Sequence, residues 1–103
     1  MQSTFIGETL ASYGGKFSQA VASGAGTVVL KAAPGRLCRI IITAAGTASF
    51  SVFDNASAAS GTLLYISPAT TSLGQIIDVQ VPAQNGITVS NPASGPGVTV
   101  SWD

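Results

Sequence analysis

The chain has 103 residues, no histidine, four cations balanced by four carboxylates, and charged side chains at only 8% of its positions. That composition excludes nucleic-acid binding by phosphate neutralisation, which needs Lys and Arg in number, and it excludes Ser-His-Asp and Cys-His catalysis. The length makes one domain able to bury about 65% of the surface that its unfolded chain exposes, and the single Cys38 rules out an intrachain disulfide.

Residues 1–26 are rich in Ser, Gly and Ala and hold scattered apolar residues: Phe5, Ile6, Leu10, Tyr13, Phe17 and Val21. The spacings from Leu10 to Val21 match a turn or two of amphipathic helix, but Gly14-Gly15 in the middle opposes a stable one. The segment reads as an extended N-terminal arm with apolar anchors, able to reach about 80 Å when fully extended. The alternative is a first strand preceded by a disordered tail. The opening residues, Met1 to Glu8, lack the basic and apolar regions of a targeting segment, and no run approaches a membrane span. A soluble protein made in the cytoplasm, with no membrane partner, is expected.

Residues 27–103 read as one β-domain of about seven short strands, at 27–32, 36–43, 48–54, 62–67, 75–81, 87–90 and 98–102. Phe50 and Val52 share a face by alternation, as do Ile77, Val79 and Val81, and Val98, Val100 and Trp102. Pro34-Gly35 fits a type II turn, Asn85-Gly86 signals a type I′ hairpin, and residues 54–61 form a longer loop. The expected fold is all-β, an antiparallel β-sandwich or jelly-roll-like architecture, with a closed small barrel as the alternative. Cys38, inside the apolar run from Leu37 to Ile42, reads as a small buried hydrophobe.

The cations Lys16, Lys31, Arg36 and Arg39 all precede residue 40, and only Asp54, Asp78 and Asp103 are charged after it. Glu8 and these aspartates lie far apart in sequence, so no acid–base pair is indicated. Asp54-Asn55 could contribute to a Ca²⁺ loop, or could simply bond its own backbone in a turn. Zinc has no ligand set. No enzyme activity, cofactor, metal or small-molecule substrate is expected. A sugar-binding face would need exposed aromatics. Trp102 falls in register with Val98 and Val100 and is expected to close the core, which leaves Tyr65 as a candidate interface residue. With Ser and Thr rather than Lys and Glu on the polar strand faces, the edges are weakly guarded. Covering by other subunits is then expected, because obligate interfaces are poor in charge.

Two further stretches carry a family likeness. One is Pro34-Gly35-Arg36-Leu37 followed by Ile40-Ile41-Ile42-Thr43 and Ala45-Gly46-Thr47-Ala48; the other runs from Ser51-Val52-Phe53-Asp54-Asn55 through a Ser/Ala/Gly loop to Thr62-Leu63-Leu64. Over roughly residues 28–102 the chain resembles small all-β proteins encoded among the virion structural genes of tailed bacteriophages. The resemblance implies a virion component, foremost a capsid decoration (cement) protein that forms homotrimers and bridges major capsid subunits. It also implies that Phe5, Ile6, Leu10, Tyr13 and Phe17 of the arm clamp an adjacent subunit, and that Arg36 and Arg39 meet acidic capsid surface. The alternative is a tail or fibre module that recognises host glycan or protein through Tyr65 or the 54–61 loop.

Overall fold

The computed structural model describes residues 14–103. Eight strands occur in chain order: β1 (Phe17–Val21), β2 (Gly26–Lys31), β3 (Gly35–Ala44), β4 (Ser51–Asp54), β5 (Thr62–Ile66), β6 (Ile76–Ala83), β7 (Ile87–Asn91) and β8 (Gly97–Trp102). They form two four-stranded antiparallel sheets, ordered β1-β8-β3-β6 in the first and β2-β7-β4-β5 in the second. The pairing is nested: β1 with β8, β2 with β7, β3 with β6, and β4 with β5. Only β4 and β5 are both consecutive and paired; every other consecutive pair crosses from one sheet to the other.

All seven expected strands are present, and an eighth precedes them. Phe17–Val21, expected within the arm, pairs along its whole length with β8. Its extended conformation is therefore that of a sheet strand, anchored by Val21 in the core and by the Phe17 ring stacked on Trp102 at 6.0 Å. Residues 14–26 thus belong to the sandwich, and the remainder of the expected arm lies outside the described residues.

The core follows from alternation across the registers. In the second sheet the inward row is Val28–Val89–Val52–Tyr65; in the first, Ile40 pairs with Val100 and Ile77, and Ile42 with Val98. Phe50, Leu37, Ile87 and Trp102 complete the cluster. Side chains of the two sheets interdigitate in this layer, as in other β-sandwiches.

Bulges adjust the alternation. The β3–β8 register shifts between Leu37 and Arg39, so Leu37 and Cys38 are both buried and Ile40 resumes the inward phase. Opposite, β6 accommodates the shift through Gln80 in the left-handed region at φ 52°, a β-bulge of the kind that bends and twists a strand. Cys38 is fully covered, and burial pushes its thiol pKa up.

Two turn expectations are corrected. Pro34-Gly35 and Asn85-Gly86 join strands of opposite sheets, so neither closes a hairpin. Neither glycine has positive φ. Each is needed for close approach instead: a Cβ on Gly35 would strike the carbonyl oxygen of Asp103, and one on Gly86 would strike the Lys31 carbonyl oxygen and the backbone of Ala56.

Candidate protein-interaction face

The outward face of each sheet can be read directly from the registers. On the first sheet one row is Ser18–Ser101–Arg39–Asp78 and the next is Ala20–Thr99–Ile41–Ile76. On the second sheet one row is Val29–Thr88–Phe53–Leu63 and the next is Thr27–Ser90–Ser51–Ile66. Neither row of the second sheet contains a charged residue. Val29, Leu63 and Ile66 are exposed there, at 41%, 47% and 55%. Thr88, by contrast, is fully covered, because its hydroxyl donates to the Asn55 carbonyl at 2.7 Å and brings that loop down onto the row.

The charges of the second sheet sit at strand ends and reach toward the first. Lys31 Nζ donates to the Asp103 carbonyl at 2.9 Å, just past the end of β8. Asp54, ending β4, accepts backbone N–H bonds from Asn85 (2.7 Å), Gln84 (3.0 Å) and Gly86 (3.3 Å). These donors, Asn85 foremost, hold its carboxyl below the usual carboxylate range. Asn55 Oδ1 accepts from the backbone N–H groups of Ser57 and Ala58, both at 2.9 Å. Asn55 thus bonds its own backbone, as the second of the two sequence readings has it, whereas Asp54 caps the distant 84–86 connection. Among the described residues no three His, Cys, Asp or Glu side chains come together.

Both candidate arginines are engaged within the chain. Arg39 Nε lies 2.6 Å from Asp78 Oδ1, across the β3–β6 register. Arg36 Nη1 donates to Gln80 Oε1 at 2.7 Å, and Arg36 Nη2 is 3.6 Å from Asp103 Oδ2. They share the outward face of the first sheet, on the opposite side of the sandwich from Leu63 and Ile66.

Tyr65 does not stand outward. It pairs with Val52 and packs on the core, with its ring tilted against Phe50 at 5.7 Å, and partial burial raises its pKa. The cause is a register break between Val52 and Phe53, where Leu64 is the extra residue on β5. Period-two counting puts Leu63 and Tyr65 on one face; the bulge sends Leu63 out and Tyr65 in. Trp102 closes the core as expected, at 8% exposure. Phe17 remains 55% exposed on the first sheet's edge strand, while Phe5, Ile6, Leu10 and Tyr13 lie outside the described residues. Sequence reasoning passed over Val29, Phe53, Leu63 and Ile66. Their signal is the absence of charge along the outward cross-strand rows of β2, β7, β4 and β5, visible only once those rows are known.

No family model, curated protein or solved structure matches the chain, so the likeness to phage virion proteins rests on its sequence motifs alone.

Proposed function

We propose that this chain is a non-enzymatic structural protein whose second sheet packs its outward face against another protein subunit, and that the assembly is a phage head which it decorates and stabilises. The observation that carries this reading is the second sheet's outward face, two rows of four cross-strand positions that include Val29, Phe53, Leu63 and Ile66 and hold no charge. Depletion of charge at the centre of a patch with apolar and aromatic residues is the compositional mark of protein interfaces. A partner that binds only the assembled shell would stabilise it by mass action, without chemistry.

We read the nested pairing as a jelly roll, a fold used by viral capsid and lectin domains. That is an analogy of fold, and function has to be argued from the surface. The glycan-binding alternative is the less favoured, because Tyr65 and Trp102 both turn toward the core and offer no stacking platform. The virion assignment itself follows from the sequence likeness.

The test is to tag the chain in the cells that carry its gene, purify virions, and count copies per particle. A copy number comparable to that of the major capsid protein is expected, with the paired substitution Leu63→Lys and Ile66→Lys stripping the chain from the particle. Virions devoid of the chain would overturn the head assignment.

A further inference from the structure

The four edge strands of the sandwich are unequally protected. An edge strand presents unpaired N–H and C=O groups and templates the addition of another strand unless charge, proline or a bulge blunts it. β6 carries Asp78, Pro82 and the bulge at Gln80. β2 ends in Lys31 and breaks register before it, and β5 is interrupted at Leu64. β1 has no charge, proline or bulge between Phe17 and Val21, its nearest cation being Lys16, whose N–H donates to the Trp102 carbonyl at 3.0 Å just before the strand. Its five residues, Phe17-Ser18-Gln19-Ala20-Val21, pair with β8 in unbroken register, and the first four are exposed. Among the described residues β8 is its only strand partner.

The strand is also self-complementary. Read in either direction it runs large apolar, small, Gln, small, large apolar. In an antiparallel pair centred on Gln19, Phe17 stands opposite the second copy's Val21, Ser18 opposite its Ala20, and Gln19 opposite itself. Aromatic against β-branched is a favourable cross-strand pair, and no charge opposes it. Phe17 already stacks on Trp102 yet stays more than half exposed. The second copy's Val21 would cover it and extend the inward row Leu37–Trp102–Phe17 into the neighbouring molecule.

We propose that β1 pairs with β1 of a second copy across a twofold axis, joining two first sheets into one continuous eight-stranded sheet. This surface is separate from the charge-free face of the second sheet and does not depend on the function proposed for it. A five-residue edge buries less than the roughly 800 Å² per partner typical of stable complexes. The pairing is therefore concentration-dependent, and it strengthens when copies are held side by side on a common support.

Sedimentation velocity on the full chain, from micromolar to millimolar concentration, tests the pairing. The expected mass rises from 10.2 kDa toward twice that value. Gln19→Lys and Gln19→Glu each set like charges opposite one another across the axis, so each alone stays at one-copy mass. An equimolar mixture of the two recovers the two-copy mass. The Leu63→Lys, Ile66→Lys protein dimerises like the wild type, which separates this edge from the second-sheet face. A wild type that remains single-copy throughout overturns the proposal. So does the three-copy mass that the phage resemblance implies, or a Gln19→Lys protein that pairs as well as the wild type.

Discussion

The two sheets are built on the same plan and finished differently. Each is four strands with one face on a shared core, yet the outward face of the first carries the Arg39–Asp78 pair and the Arg36–Gln80 bond, while that of the second carries no charge. Burial demands only that one face of each sheet be apolar; the other face is free to vary. A water-facing surface is ordinarily populated with charge; the first sheet meets that pattern through Arg39 and Asp78, with Ile76 exposed in the next row, and the second sheet does not. The charged residues that the second sheet does possess, Lys31 and Asp54, have been moved to its ends and turned toward the first.

The comparison can be broken most severely at the layer the sheets share. Phe50→Ala removes the largest fully buried side chain and is expected to cost about 3–5 kcal/mol, read from urea unfolding, with both sheets lost in one transition. Next in size is Asn91→Ala. Asn91 Nδ2 bonds the carbonyls of Ala22 and Pro96, at 3.0 and 2.7 Å, tying the β1–β2 and β7–β8 connections together at one end of the sandwich. The Ala22 carbonyl keeps the Ala25 N–H at 3.1 Å, so the variant strands the Pro96 carbonyl and should cost about 1–3 kcal/mol.

Asp54→Asn sharpens the comparison by cutting the tie from the second sheet to the β6–β7 corner. Because the folded-state pKa is depressed, the unfolded chain takes up the proton first. The clamp then contributes in full above an unfolded carboxylate pKa of about 3.9 and fades as pH falls through the lower folded value. The variant should melt below the wild type at neutral pH, and the two melting curves should converge as the medium is acidified beneath that range. The smallest effects are at the outward faces. Arg39→Gln breaks an exposed ion pair and should change stability by about 1 kcal/mol or less, with the difference shrinking in salt. Leu63→Lys with Ile66→Lys should leave unfolding within about 0.5 kcal/mol for each change while raising solubility. A large stability loss there would mean that these side chains belong to the fold rather than to a partner surface.

Much of the architecture was legible because strands with one buried face alternate. Phe50 and Val52, and Val98, Val100 and Trp102, lie where their spacing put them. β1 was harder to see, since its only large apolar residues are Phe17 and Val21, with glycines on both flanks. Bulges were invisible: no residue type announces that Leu64 is the extra residue or that Gln80 takes positive φ, and a single extra residue reverses every face beyond it. The Asn85-Gly86 signal was local, and local chemistry specifies a reversal of the chain without saying which sheet receives the next strand. The charge-free face needed four strands to be set side by side before it existed as a surface at all.

The nested order of pairing also sets a timetable. β8 lies between β1 and β3, so the first sheet has no continuous centre until the chain has been synthesised through Trp102. Until then β1 waits as an unpaired strand and β3 has only β6 beside it, roughly 80 and 60 residues upstream of β8 in a ladder that closes from the β4–β5 hairpin outward. Such long loop closures place the domain among slow, millisecond-to-second folders. The same unguarded edge that suits β1 to a second copy leaves it exposed on the nascent chain for the whole of that interval. Crowded synthesis would therefore give β1 of neighbouring chains time to mispair.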